Sequence, residues 1–361
     1  MGSIRVVKSS GVITVQDLGR FGYQSLGVPV SGAMDSIALK IANRLVGNSD
    51  DKACLEFMLS GGSFRFNADV AIALTGADMA FKINGQIVPM YETLFINQDD
   101  ELTGDYAKTG VYAYMAVSGG FDVPKVLKSR STFIRGRFGG VEGRALKVGD
   151  QLPFVDVEMP AHIKMPRSLA NVPYENRVVR FIPSSVDREM NARYRQIFQK
   201  NDYCIDAMSD RMGYRLAGEA IQMTGGNDML SAPVGAGTIQ VPGDGQPIVL
   251  LADRQTTGGY RQLGQIWAFD LPYFVQQSAG SCVRFHSGEL SEALAALEAY
   301  DEALADFFSK AVCNHVKQCN HVNQCEHVKQ CNHVKNAAPK RYRITLSNKT
   351  YNVVVRQLNE D

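Results

Sequence analysis

Short apolar runs closed by glycine, asparagine or aspartate divide most of this chain, and that punctuation constrains its fold more than any other feature. Val12 to Val15, Val70 to Leu74, Met79 to Ile83, Thr93 to Ile96 and Val111 to Val117 have the length and the branched side chains of strands. With 33 glycines in 361 residues, turns are plentiful. Many short strands per segment predict a mainly β protein with a few helices, built from β-barrel segments and not from a parallel α/β sheet. The chief interruption is Asp35 to Val46. Asp35 is placed to cap a helix, Ile37, Ile41 and Leu45 form its buried stripe, and Gly47 is placed to end it.

The segments follow from composition. Residues 1–155 form a first β-barrel segment, and 156–176, with Pro160, Pro166 and Pro173, form a linker. Residues 177–289 form a second segment, opening on a strand from Arg177 to Ile182 and a helix from Asp187 to Phe198. In 290–312, Leu294, Leu297, Leu304 and Phe307 give the stripe of an amphipathic helix with Ser291 as its cap. Residues 313–338 hold a hexapeptide repeat restarting at Cys313, Cys319, Cys325 and Cys331, with histidines at 315, 321, 327 and 333. Cys-x-His units offer ligands for Zn²⁺ or Cu(I), but no hydrophobic set would preorganise them, so the repeat reads as a low-complexity linker. In 339–361, Tyr342 to Leu346 and Tyr351 to Val355 alternate about Ser347-Asn348-Lys349, the pattern of a β-hairpin.

Charge narrows the partners. Lys plus Arg number 38 against 37 Asp plus Glu, which gives no basis for broad nucleic-acid or membrane affinity. Met1-Gly2-Ser3-Ile4-Arg5-Val6 lacks a secretory pattern, so a cytoplasmic location is expected. Cys54, Cys204 and Cys282 stand singly and read as buried small hydrophobes.

Chemistry-bearing residues gather at four turns. Ala252-Asp253-Arg254-Gln255-Thr256-Thr257-Gly258-Gly259-Tyr260 follows the strand Pro247 to Leu251, and its glycines allow positive φ or close approach of a ligand. Thr14 to Tyr23, Ser209 to Leu216 and Gly237 to Pro247 repeat the mixture of Gln, Asp, Arg, Gly and Tyr. Arginine is the natural bidentate partner of a carboxylate or phosphate. The catalytic candidates are Asp17, Arg20, Arg211, Arg215, Asp253 and Arg254, with Asp17 and Asp253 as orienters or metal ligands. The substrate-binding candidates are Gln16, Tyr23, Asp78, Gln240, Gln255, Thr256, Thr257 and Tyr260, the glutamines being suited to a lactam or a urea-like amide. Each Arg–Asp pair reads equally as a structural bridge, and four distant polar turns fit one composite site or one subunit interface. No phosphate-binding loop, dinucleotide fingerprint or nucleophile elbow is present.

With Leu74-Thr75-Gly76-Ala77-Asp78 and Gly139-Gly140-Val141-Glu142-Gly143-Arg144, these clusters resemble, over residues 4 to 288, the carboxyltransferase subdomain 2 family. That family, formerly called allophanate hydrolase subunit 2, includes KipA and the PxpC component of 5-oxoprolinase. The resemblance implies cyclophilin-like barrels and ATP-dependent opening of 5-oxo-L-proline to L-glutamate. It further implies a PxpB/KipI-like and a PxpA-like partner subunit, with ATP and Mg²⁺ used in the complex. The chain departs from the family at Ile182-Pro183-Ser184-Ser185 and at Arg261, where relatives carry Pro-Gly-Pro-Gln and Pro, which bears on substrate choice. The hairpin is similar to the opening strands of a biotinyl carrier domain, but there is no Met-Lys-Met site, so no biotin attachment is expected here. Two rival readings remain: a biotin-dependent carboxyltransferase acting on urea, and a KipA-type regulator binding a KipI-like kinase inhibitor.

Overall fold

In the computed structural model, which describes residues 2–170, 178–184, 188–222, 225–320, 340–346 and 349–355, the first segment is two antiparallel sheets around one core. In chain order its strands are β1 (Gly2–Lys8), β2 (Val12–Gln16), β3 (Cys54–Met58), β4 (Ser60–Phe66), β5 (Val70–Asp78), β6 (Lys82–Ile83), β7 (Gln86–Ile87), β8 (Thr93–Ile96), β9 (Glu101–Tyr106), β10 (Thr109–Val117) and β11 (Gln151–Phe154). One sheet has the order β11-β1-β4-β9-β6-β7 and the other β2-β3-β10-β5-β8. Between β3 and β4 the chain turns at Leu59, whose φ of 63° makes the corner that carries it from one sheet to the other.

Alternation decides which side chains face inward. Ile13 and Val15, Leu55 and Phe57, Ile72 and Leu74, and Ala113 and Met115 point into the core, where they meet Ile4, Val6, Phe64 and Phe66. Each large apolar side chain removed from water contributes about 1.5–3 kcal/mol. The outward residues of the five-stranded sheet, among them Glu56, Thr75, Tyr112 and Tyr114, are buried as well. Part of their cover is α1 (Ser36–Leu45), capped by Asp35, whose Oδ1 accepts from Ala38 N. Thr75 Oγ1 donates to Ala38 O at 2.8 Å. The predicted helix is therefore present, with Gly47 at φ 74° just beyond its end. Met79 to Phe81, predicted as strand, lie outside the ladder, because Ala80 adopts φ 47° and only Lys82 and Ile83 pair.

After the short α2 (Arg167–Ala170) the second segment contains β12 (Val178–Pro183), α3 (Arg188–Lys200), β13 (Asp202–Ile205), β14 (Gly213–Ala217), β15 (Asp228–Pro233), β16 (Thr238–Val241), β17 (Ile248–Leu250), β18 (Thr257–Ile266), α4 (Leu271–Val275) and β19 (Cys282–Ser287). Its strand order, β12-β19-β13-β14-β17-β16-β18-β15, closes through a β12–β18 pairing into a barrel, with β15 added outside β18. β12 runs parallel to β19 and antiparallel to β18, which lets the chain enter the barrel between them. Phe198 of α3 stacks on Phe285 at 4.4 Å and touches Phe181 and Tyr203, so this helix seals part of the barrel core.

The barrel register corrects the reading of the cysteines. Cys204 and Cys282 form a disulfide, because β13 and β19 are antiparallel neighbours whose register sets these two residues opposite each other. A separation of 78 residues hid the pairing from a reading based on local spacing. Cys54 is buried and free.

The last helix, α5 (Leu290–Asn320), runs beyond the predicted end at residue 312. Ser291 lies inside it rather than capping it, and Glu292 Oε2 accepts from Glu289 N at its start. Residues 310–361 form a separate unit. In it β20 (Lys340–Leu346) and β21 (Lys349–Val355) pair antiparallel from Lys340↔Val355 to Leu346↔Lys349, the predicted hairpin. Residues 321–339, which hold most of the hexapeptide repeat, and residues 171–177 of the predicted linker lie outside the described residues.

Candidate functional site

The outer face of the β2-β3-β10-β5-β8 sheet meets the barrel through turns, and Glu56, Arg211 and Asp253 converge there. Glu56 follows Leu55 and precedes Phe57 on β3, so alternation turns its carboxylate away from the core and toward the barrel. The β13–β14 turn brings Arg211 onto it. Arg211 Nη1 donates to Glu56 Oε1, Nε donates to Asp253 Oδ2 at 2.8 Å, and Nη2 donates to Gly32 O at 2.7 Å. Asp253 is held in the β17–β18 turn by Asp253 N→Arg211 O at 2.8 Å. Glu56 Oε2 also accepts from Met34 N at 2.8 Å and from the Tyr114 hydroxyl at 2.7 Å.

Burial governs the charges. Glu56 is 2% exposed, Asp253 6% and Arg211 8%, so the whole group is withdrawn from water. Burial opposes charge on Arg211, but Glu56 and Asp253 outweigh it and hold its pKa above the ordinary value. Burial pushes Glu56 above the ordinary carboxylate range, against the opposing pull of Arg211, Met34 N–H and Tyr114. The network continues to Asp35, whose N–H donates to Tyr114 Oη at 2.8 Å. Gln276, just after α4, closes it by donating from Nε2 to Asp35 Oδ2 at 2.9 Å, while its Oε1 accepts from Val111 N and Tyr112 N. Burial likewise raises the pKa of Asp35.

A second group adjoins the first. The turn after β2 carries Asp17 and Arg20 and packs on residues 30–32. Arg20 N donates to Val30 O at 2.8 Å, Ala33 N to Asp17 O at 2.9 Å and Ser31 N to Ala252 O at 3.0 Å. The approach is close enough to need glycine. Gly32 has φ 89°, and a Cβ there would lie 2.9 Å from Gly19 N. Asp17 is saturated. Its Oδ1 accepts from Gly19 N, Ser129 Oγ and Ser131 Oγ, and its Oδ2 from Arg130 N at 2.6 Å. Its role is to tie the 129–131 loop to the β2 turn, and with those donors in place it does not suit a metal ion. Among the described residues no group of three or more His, Cys, Asp or Glu is placed to hold one.

Arg20 is different. It is 1% exposed, Nη2 donates to Ser131 O, and Phe138 lies 4.8 Å from its guanidinium carbon. Its Nε and Nη1 are buried and meet no hydrogen-bond partner among the described residues. Burial lowers its pKa, opposed by the charges of Asp17 and Asp253. Ser31 Oγ and Gln16 Oε1 are buried without partners among those residues too. Gln16 Nε2 is engaged, donating to Thr14 Oγ1 and to Thr132 O.

The other candidates separate from this group. Arg215 is exposed on β14. Arg254 bonds to the carbonyls of Leu251 (3.0 Å) and Val234 (3.4 Å), and burial lowers its pKa. Asp78 is exposed and caps Ala80 N. Gln240 is buried with its amide donating to Tyr260 O at 3.4 Å. Gln255, Thr257 and Tyr260 are exposed, and Tyr23 and Thr256 are half-buried. Gly258 and Gly259 do not take positive φ. They begin β18, and at Gly258 a Cβ would lie 2.3 Å from the Gln240 amide nitrogen.

An open cavity of about 380 Å³ adjoins the network at Gln276 and is lined also by Gly76, Tyr91, Thr109, Ser278 and Ser281 among others. Among the described residues its one ionisable lining group is Tyr91, whose phenol burial pushes upward, so it lacks the charged donors that the arginine locus concentrates. The buried locus, with orphaned donors and an orphaned acceptor, is the better chemical candidate.

Comparisons with known proteins agree with the architecture. The family model described as carboxyltransferase domain, subdomain A and B, matches residues 26–287. The 5-oxoprolinase C-type subunit of Haemophilus influenzae is 36% identical over 280 residues, covering 78% of this chain and 89% of that protein. Its counterpart of the same name in Escherichia coli is 35% identical over 293 residues, covering 81% and 94%. The crystal structure of the K. lactis urea amidolyase superposes with a TM-score of 0.78 at 27% identity, covering 84% of this chain but 20% of that one.

Proposed function

This chain belongs to the carboxyltransferase-domain family of subdomains A and B, and from that premise we propose that it is the C-type subunit of an ATP-dependent 5-oxoprolinase. The observation that carries the reading is the 36% identity to the Haemophilus influenzae 5-oxoprolinase component across 89% of that protein's length. In this reading the chain acts with PxpA-like and PxpB/KipI-like subunits, in the cytoplasm, to convert 5-oxo-L-proline to L-glutamate. A lactam is a poor electrophile at neutral pH, and phosphorylation of its oxygen makes the ring carbon attackable. ATP with Mg²⁺ would supply that phosphoryl group. Asp17 is saturated and Asp253 is bonded to Arg211, so these two carboxylates do not suit Mg²⁺. This chain's part is to hold the lactam in a rigid, water-poor setting, where fixed donors act more strongly than in water.

A second reading, carboxyl transfer to urea, is favoured by one observation. A putative urea carboxylase of Emericella nidulans is 29% identical over 329 residues, covering 85% of this chain. The test is reconstitution with the two partner subunits. ATP-dependent glutamate release that requires this chain supports the first reading. Carboxylation of urea in the presence of a biotinylated carrier, with no glutamate release, supports the second. Tight association with the partner and neither activity would point to a regulator.

A further inference from the structure

The Cys204–Cys282 bond stands where two loops begin. Tyr203 and Val283 are buried in the barrel, so alternation along β13 and β19 turns the neighbouring cysteines outward, and both are half-buried. They form the last registered pair of that ladder, after Asp202↔Arg284 and Tyr203↔Val283. Beyond Cys204 the chain runs through Ile205 into the turn that carries Arg211; back from Cys282 it runs through Ser281 to Gln276. Two backbone bonds continue the pairing past the sulfurs, Ile205 N→Ser281 O at 2.9 Å and Gly280 N→Ile205 O at 2.8 Å. Both loops bear on the seam between barrel and sheet. Arg211 donates to Glu56 on β3, while Gln276 donates to Asp35 and accepts from Val111 N and Tyr112 N on β10. Ser278 and Ser281, in the second loop, also line the open cavity together with Gly76, Tyr91 and Thr109 of the first segment. The disulfide thus fastens together the roots of two loops through which the barrel holds the sheet.

What the bond adds is local. β13 lies between β19 and β14, and β19 between β12 and β13, so each strand has a hydrogen-bonded neighbour on both sides without it. Breaking it leaves those ladders in place and frees the loop roots. The sulfurs are also reachable. Cys54 is fully buried and its thiol is pushed up by burial, which makes it inert, whereas outward-facing, half-buried sulfurs admit an attacking thiolate. We propose that Cys204–Cys282 is a thiol–disulfide exchange site whose state sets how firmly the loops at 206–212 and 276–281, and with them the cavity wall, are held. The co-reactant is a dithiol. Its thiolate attacks one sulfur, and the other leaves as a thiolate and takes a proton. The second thiol of the co-reactant then displaces the first sulfur, so the chain gains two thiols as the dithiol becomes a disulfide. The oxidised chain has the closed seam described above. The reduced chain keeps its barrel and opens these loops more often.

Hydrogen exchange of the full chain, oxidised and after treatment with dithiothreitol, tests the proposal. Peptide-resolved alkylation reports on Cys204 and Cys282 apart from the other cysteines. The expected result is reduction without denaturant and re-formation of the bond with oxidised dithiothreitol. At short labelling times the amides of Ile205 and Gly280 and those of 206–212 should exchange roughly tenfold faster or more in the reduced chain, while β5 and β10 stay protected in both forms. A variant carrying both Cys204→Ala and Cys282→Ala should show the fast pattern with or without dithiothreitol. A bond that yields to dithiothreitol only once urea has unfolded the chain would overturn the proposal. So would unchanged exchange in the two loops after reduction, or loss of protection in β5 and β10 over the same labelling times. The wild-type chain serves as its own comparison, so the result decides the matter should the double variant fail to fold.

Discussion

Replacing Arg211 by Met removes the one cation between two buried carboxylates, and the structure sets the size of the effect. Glu56 and Asp253 are 2% and 6% exposed, and each gives an oxygen to this guanidinium. Methionine has similar length and no charge, so the change empties little volume. It leaves two like charges facing each other and strips Gly32 O of its donor. Breaking a buried pair in this way costs about 3–5 kcal/mol, because the remaining charge is uncompensated. At roughly 2–4 °C per kcal/mol, the expected fall in Tm is on the order of 6–20 °C. The assay is thermal and urea unfolding of the full chain, followed by circular dichroism. The variant's deficit should shrink at low pH, where a carboxyl freed of its cation takes a proton. Adding Glu56→Gln should restore part of the loss. A deficit below about 1 kcal/mol, the size of a surface ion pair, would refute the view that this triad locks the barrel to the sheet.

Three further outcomes follow from the same geometry. Gly139→Ala puts a Cβ 2.0 Å from Ser131 O at φ 75°, in the loop that seats Arg20, and should cost more than ~2 kcal/mol while disrupting the locus, as unfolding and lactam titration would show. Asp35 has its pKa raised by burial, so the native state holds its proton more tightly than the unfolded chain. Its stabilising contribution is complete below the ordinary carboxylate range and is lost as pH rises through the elevated value. Asp35→Asn keeps the acceptor for Ala38 N but sets an N–H donor against Gln276 Nε2, so it should cost some stability at every pH while flattening the fall in stability as pH rises above the ordinary carboxylate range; an unchanged slope would contradict it. Reduction of Cys204–Cys282, which closes a loop of 78 residues, should lower stability by up to about 4.5 kcal/mol on the chain-entropy estimate, seen as a lower urea midpoint in the presence of a phosphine reductant.

The strands and α1 were legible because alternation, the Asp35 cap and Gly47 are local signals that the packing endorses. The ends of strands were less so, since Ala80 with its positive φ breaks a run that looks continuous in sequence. Asp17, Arg20, Arg211 and Asp253 were singled out because acid, base and glycine share each turn. One composite site was among the expected outcomes, but which residues meet was not readable, because it depends on which turns of the barrel face the outer side of a sheet formed more than a hundred residues earlier. Arg215 and Arg254 share the same local composition yet separate from the locus, as Arg215 faces solvent on β14 and Arg254, in the β17–β18 turn, bonds to backbone carbonyls. Glu56 was missed, although a lone acid between Leu55 and Phe57 on an apolar strand marks a face with a partner. Ser31 and Gln276 had no such mark. Their importance comes from contacts across the segment boundary and, for Ser31, from a bond that is missing.

Whether substrate enters the buried arginine locus or the open cavity is decided by a crystal structure of the assembled complex with 5-oxo-L-proline bound. The lactam is expected within hydrogen-bond distance of Arg20 Nε or Nη1, which have no partner among the described residues. A ligand seated instead among Gly76, Tyr91, Thr109 and Ser281, with Arg20 still unpaired, would contradict the assignment to the arginine locus.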